Sequence, residues 1–306
     1  MTNEPKNHHF IPQHYLKAWQ STKGKIIRYR IIPETGAFEI KEVGIKKTAS
    51  INDLYRITFP DGSFEIESSL ITPEVDEQGH KIIEEARNST ITLWSKAQKK
   101  KLANYFTCLE ARHPEIIDEM NIGADLDILR AEMKSKGHFK DTSIDEVINY
   151  FQSSDSIGVV NLASFIQNEI DSKLTQPFSE GLLKAHVREY KFDSAALLCS
   201  DYPTSRWGDY LKTFMLAVAI SPTKSVIYST NKDIDVFSQL PASSRAKLIN
   251  LYSLAKAEVA YFKDQSMANF VKEHLGWAKQ LNSNEKKQEY ISNFVIAELM
   301  SKTSLA

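Results

Sequence analysis

The chain has 306 residues, 42% hydrophobic and 25% charged, which is ample apolar material for a core. Its 38 lysines and arginines offset 39 aspartates and glutamates to a formal charge of −1, which excludes a uniformly basic nucleic-acid binder and an acidic disordered chain but permits a local basic cleft. Two cysteines, 11 glycines and 10 prolines exclude a disulfide framework, a cysteine-based zinc site and a low-complexity chain.

The polar opening has no apolar leader, and the most apolar run, 214–220, is too short to span a bilayer. A soluble cytoplasmic protein that does not enter a membrane is expected. Pro12 suits the first turn of a helix over 12–19, with Tyr15, Leu16 and Trp19 on one face. Gly24 ends it, and 25–32 with 37–43 flank the turn Pro33-Glu34-Thr35-Gly36 as a β-hairpin. A third strand, 53–59, runs to the turn signal Pro60-Asp61-Gly62.

Residues 64–70 read as a helix that Pro73 breaks or restarts, and 74–98 as one long amphipathic helix with Val75, Ile82, Ile83, Ala86, Ile91 and Trp94 as its apolar stripe. The lysines of 96–101 then form a C-terminal cation cluster, favourable to the helix dipole. The next helix, 102–110, closes at His113-Pro114, and 115–185 is helical in two or three pieces, broken at Gly123, Gly137 and 152–156. The continuous apolar run 194–200 predicts a buried strand; 214–221 and 225–229 are further strands, and 241–301 is helical. Apolar neighbours make Cys108 and Cys199 buried, reduced thiols. Together these elements predict a single α+β domain over 1–306. Its helical middle (64–185) and C-terminal region (241–303) pack on a mixed or antiparallel sheet built from the N-terminal hairpin and the strands near 194–229.

Three of the eight histidines, His8, His9 and His14, fall within the first fourteen residues. Adjacent histidines on an extended segment point to opposite faces, whereas the His9–His14 spacing across a helix start lets both rings face one cavity. Metal ligation or general-base work on water is the functional reading; capping and core packing are the structural one. Asp201, at the end of an apolar run, is placed to ligate a divalent metal or orient His9, or else to start a turn. Arg112 could pin a phosphate, or form a buried tie to Glu110, Glu115 or Asp201. Arg206 and Trp207 offer a cation and a stacking surface. Ser200 lacks a nucleophile elbow, and no Gly-rich phosphate loop or His-Glu-x-x-His motif occurs.

The run Asn7-His8-His9-Phe10-Ile11-Pro12-Gln13-His14-Tyr15-Leu16-Lys17-Ala18-Trp19 resembles the opening of the bacterial domain-of-unknown-function family 4238. Leu109-Glu110-Ala111-Arg112-His113-Pro114, Leu197-Leu198-Cys199-Ser200-Asp201-Tyr202-Pro203 and Ala219-Ile220-Ser221-Pro222 look like its later elements in the same order, with His113 replacing a small hydroxyl residue. The family has no agreed activity. His8 to Pro12 is also similar to the His-His-x-x-Pro of His-Me finger nucleases, but here the hairpin follows a helix and no Asn…His pair comes next.

The leading expectation is a phosphodiester hydrolase, a nuclease of a phage-defence or mobile-element setting, acting on nucleic acid. His8, His9, His14 and Asp201 would be catalytic, His9 and Asp201 would hold a divalent metal ion, and Gln13, Arg112 and Arg206 would bind substrate. The alternative is a non-catalytic module that recognises a protein partner or small ligand through the same cluster. The two differ in one geometric respect: an enzyme needs His9, Arg112 and Asp201 around one open cavity, and a module is compatible with a sealed, paired cluster.

Overall fold

The computed structural model describes residues 6–59, 62–122, 144–153, 156–171, 178–209, 212–230 and 235–303. Strand β1 (Asn7–His9) leads into α1 (Gln13–Leu16), which tightens to a 3-10 turn over Lys17–Trp19 and ends where the sequence predicts. The hairpin β2 (Ile26–Ile31) and β3 (Phe38–Val43) follows, then β4 (Ser50–Asn52) and a second hairpin, β5 (Arg56–Phe59) and β6 (Gly62–Glu65). The expected strand at 53 starts three residues later because Asp53 takes a left-handed conformation, φ 57°, and opens a turn closed by the Arg56 amide. Pro60 and Asp61 lie outside the described residues.

The helix expected over 64–70 forms only in its later part: β6 runs to Glu65, and a wide π-type helix over Glu67–Asp76 absorbs Pro73 before α2 (Glu77–Asn88). The long helix expected over 74–98 is likewise interrupted. A short 3-10 turn, Ile91–Leu93, separates α2 from α3 (Lys96–Ala111), whose start is set by a capping box between Ser95 and Gln98. The lysine cluster therefore opens a helix rather than closing one, against the dipole, and the reciprocal Ser95–Gln98 bonds offset that cost.

Pro114 then begins α4 (Pro114–Ile122), followed by α5 (Ile144–Ser153), α6 (Ile157–Asp171) and α7 (Phe178–Lys184). The breaks expected at Gly123 and Gly137 lie outside the described residues. The second half carries β7 (His186–Lys191), β8 (Cys199–Ser200), β9 (Thr204–Gly208), β10 (Phe214–Ser221) and β11 (Lys224–Ser229), then α8 (Asp235–Gln239) and α9 (Ala242–Leu254). Strand β12 (Val259–Phe262), α10 (Ala268–His274) and α11 (Asn284–Thr303) complete it.

The class is α+β, and every described strand pair is antiparallel. Eight of the strands divide between two four-stranded sheets, in the orders β7-β11-β10-β9 and β3-β2-β12-β8, and β1-β4 and β5-β6 form two-stranded sheets, rather than all meeting in one. The division falls at Asp201-Tyr202-Pro203. The Asp201 amide still bonds the Val259 carbonyl of the second sheet, Pro203 has no N–H to continue the ladder, and β9 joins the first sheet. Helix α9 packs against β8, β9 and β10 and so spans both sheets.

Only two residues of the apolar run 194–200 pair as a strand. The remainder is irregular backbone that runs from exposed Ser194 to buried Leu197 and Leu198: Asn250 bonds Leu198 N–H and Ala196 C=O, and Pro222 C=O accepts from Ala196 and Leu197. The 214–229 hairpin stands as expected, whereas β7, β9 and β12 were hidden in runs read as loop or helix.

Candidate functional site

The N-terminal histidines are pinned by the backbone around them. His8 is fully buried, its ring stacked on Tyr55 at 5.5 Å and 4°, with Nδ1 accepting the Tyr55 amide at 2.9 Å. His9 is also buried; burial first, and the neighbouring Arg112 second, hold its imidazole below the usual range, and its Nε2 is enclosed without a hydrogen-bond partner. His14 faces different neighbours. It bonds the Tyr105 hydroxyl at 3.0 Å and stacks on His80, and burial, then His80, Arg112, Arg87 and Lys17, push it down to about 3.

Arg112, at the C-terminal end of α3, is completely buried. Its Nη1 donates to Asp76 at 2.5 Å, Nη2 to the His9 carbonyl and Nε to the Tyr55 hydroxyl, which itself donates to the Arg112 carbonyl at 2.9 Å. The guanidinium thus makes the buried carboxylate tie, to Asp76 of the π-type turn rather than to Glu110, Glu115 or Asp201. Committed to these partners, it has no face left for substrate phosphate, which corrects its expected role.

The run 7–19 reaches every later motif that accompanied it in sequence. Beyond the His9–Arg112 bond, Phe10 packs edge-on to His113 at 5.4 Å, the Trp19 indole donates to the Leu197 carbonyl at 2.8 Å, and the Tyr15 hydroxyl donates to the Ala219 carbonyl. Arg87 completes the seam with bonds to Tyr15 C=O at 2.9 Å and Ile220 C=O at 2.7 Å. The segment is a strap joining α2, α3 and both sheets.

Asp201 takes part in a different set of bonds. Its carboxylate accepts the Glu258 and Val259 amides at 3.1 to 3.2 Å. Burial pushes the carboxyl up to about 7 despite those amides, which favour its charge. Neither His9 nor any other histidine is among its hydrogen-bond partners. Among the described residues no group of three His, Cys, Asp or Glu is arranged to hold a metal ion. Ser200 is equally committed, to Tyr202 C=O and to Ser253. Cys108 and Cys199 are free, buried thiols, pushed far up by burial.

An open site lies on the other side of His113. That ring sits 3.7 Å from Tyr202, accepts the Glu115 amide at 3.2 Å, and is held down to about 3 by burial, then Lys279 and Lys256. Tyr202 lines a cleft of about 370 Å³ together with Arg206, Trp207, Lys256, Lys279 and Lys287. Arg206 is oriented by Glu110 at 2.5 Å, and Trp207 is backed by Trp277 at 5.6 Å and 13°, itself stacked on Tyr290 at 4.6 Å. Of the expected site residues only Arg206 lines this cleft; Gln13 opens α1, half-buried, away from it. Sequence reasoning found the Arg206-Trp207 pair and missed Lys279, although Trp277-Ala278-Lys279 repeats the same aromatic-plus-cation chemistry.

Among the described residues, no helix is long and apolar enough to cross a membrane. Comparison with known proteins gives one match: a family model described as "Protein of unknown function (DUF4238)" covers residues 7–261. No curated protein and no solved structure matches.

Proposed function

The chain belongs to the DUF4238 family, and from that premise we propose that it is a binding module that takes a small anionic ligand with a flat ring into the Arg206–Trp207 cleft. The observation that carries this reading is the contrast between two neighbouring sites. In the histidine–Arg112 cluster Arg112 is paired and the His9 ring nitrogen is enclosed away from water, whereas the adjoining cleft is open and combines cations with an aromatic wall. His9 and His14, held neutral by burial, serve the strap rather than a reaction.

The test pairs two assays on one preparation. The dye 8-anilinonaphthalene-1-sulfonate, a planar aromatic anion, is expected to bind saturably, and Trp207→Leu and Arg206→Glu are each expected to weaken it at least about tenfold. DNA and RNA incubated with Mg²⁺ or Mn²⁺ are expected to stay intact. Cleavage that disappears in folded His9→Gln and Asp201→Asn proteins would replace this reading with phosphodiester hydrolysis. Dye binding indifferent to both cleft variants would remove the cleft from the argument.

A further inference from the structure

The lining of the cleft is chemically mixed, and that mixture specifies its ligand further. Tyr202 is nine-tenths buried, and its hydroxyl oxygen is enclosed without a hydrogen-bond partner. Buried hydroxyls are nearly always paired, so an unpaired one in a ligand-sized cleft marks a place where an acceptor is expected. Cations line the same cleft. Lys279 lies 5.8 Å over the Tyr202 ring, tethered to Glu258 at 3.1 Å and Glu115 at 3.8 Å. Lys256 and Lys287 line the same cleft, and among the described residues neither has a carboxylate within ion-pair distance. Asn284, the first residue of the 20-residue helix α11, is also on the lining, so first-turn amides add to the positive field. Trp207 and Tyr252 add ring surfaces, and Glu110, Glu115 and Glu119 add acceptors for hydroxyl or amino groups.

We propose that the ligand is a nucleoside monophosphate. Its phosphate would lie among Lys256, Lys279, Lys287 and the Tyr202 hydroxyl, and its base against Trp207. The inference rests on the cleft being the ligand site and names what that site selects. A volume of about 370 Å³ suits one nucleotide and not a strand. Arg206 is held by Glu110 and by the Gly208 carbonyl, and Lys279 by Glu258 and Glu115, which leaves Lys256 and Lys287 as the lining cations without a carboxylate tie among the described residues. Tyr202 and Lys256 lie within the family match, and Lys279 and Lys287 beyond residue 261.

Titration calorimetry with adenosine and uridine monophosphates, the free nucleosides, inorganic phosphate and a polyuridine oligomer tests it. A monophosphate is expected to bind at least about tenfold tighter than its nucleoside or than phosphate alone. Lys287→Glu and Lys256→Glu should each remove most of that advantage, and Tyr202→Phe, which keeps the ring, should weaken the monophosphate several-fold while sparing the nucleoside. Equal binding of phosphate and nucleotide would reduce the site to a plain anion site, and oligomer binding far tighter than mononucleotide would make the ligand a strand; either overturns the inference. If no monophosphate binds while the planar dye still binds through Trp207, the nucleotide assignment fails and the binding-module reading stands. If neither binds, both fail.

Discussion

Replacing Arg112 with methionine tests the role of the strap most directly. Arg112 has no exposed surface and holds the Asp76 carboxylate, the His9 carbonyl and the Tyr55 hydroxyl together. Methionine restores much of the alkyl volume, so the loss is chiefly electrostatic rather than a cavity. Removing one partner of a buried ion pair costs roughly 3–5 kcal/mol. Asp76 keeps 18% of its side-chain surface exposed and can be partly hydrated, which places the expected loss near the lower bound, about 3 kcal/mol. In urea the midpoint should fall with little change in slope, and on heating it should fall by roughly 6 °C, at about 2 °C per kcal/mol for a chain of this size. A second variant, Asp76→Asn, should destabilise less in the Arg112→Met background than in the wild type, because the charge it removes is already unpaired there. Dye binding by the folded Arg112→Met protein should stay within about threefold of wild type. A stability loss under about 1 kcal/mol, or intact stability with lost binding, would move Arg112 from the strap to the ligand site.

Three further outcomes follow from burial and charge. Gly79→Ala should destabilise by about 1–2 kcal/mol although alanine favours helix, because the new Cβ would lie 2.2 Å from two Tyr105 ring carbons; a rise in thermal midpoint would contradict that contact. His14 and His113, near 3 in the folded protein and 6.5 when unfolded, make the unfolded chain the better proton acceptor below about pH 6.5. Their contribution is present above that pH and is lost as pH falls toward 3, by roughly 1 kcal/mol per unit for each group after allowing for partial exposure. Urea midpoints between about pH 7.5 and 5 should show the decline, and a flat profile would mean that these rings titrate normally. Asp201 acts with the opposite sign: its folded carboxyl, raised to about 7 from 3.8, takes up a proton on folding between those values, so its contribution grows as pH falls. Asp201→Asn removes that gain, so the variant should compare best with wild type above pH 7 and steadily worse below it. A stability difference independent of pH would show that Asp201 is charged throughout.

Local periodicity carried the parts of the fold whose partners are near in sequence. The 26–43 and 214–229 hairpins, the helix start at Pro12 and the stop at His113-Pro114 were all legible from alternation and punctuation. Elements defined by distant partners were not. Val259–Phe262 is an apolar run like its helical neighbours until β2 and β8 flank it, and 194–198 looks like a strand because nothing in the sequence shows that Asn250 will satisfy its backbone. The misread end of α2 was avoidable, since Ser95 and Gln98 spell a capping box in the sequence itself.

For the site, enrichment of histidines pointed to the right segment with the wrong chemistry. Whether His9 faces water or Arg112 depends on residues a hundred positions away. The motifs resembling the family do meet in space, but what they build at their meeting is a joint. The cleft depends on lysines and a tryptophan spread over 207–287, with no local pattern to announce them.

The strap also dictates an order of events during synthesis. Its hydrogen bonds join residues 103, 178 and 204 positions apart, so this segment is among the last to complete its contacts. At about 5–20 residues per second, Tyr15 waits on the order of 10–40 s for Ala219 to be made. Until then Ile11, Tyr15, Leu16 and Trp19, all fully buried in the finished molecule, can meet α2 and α3 but lack the cover that the second half of the chain supplies. Contacts of such high sequence separation place strap closure late on the folding route.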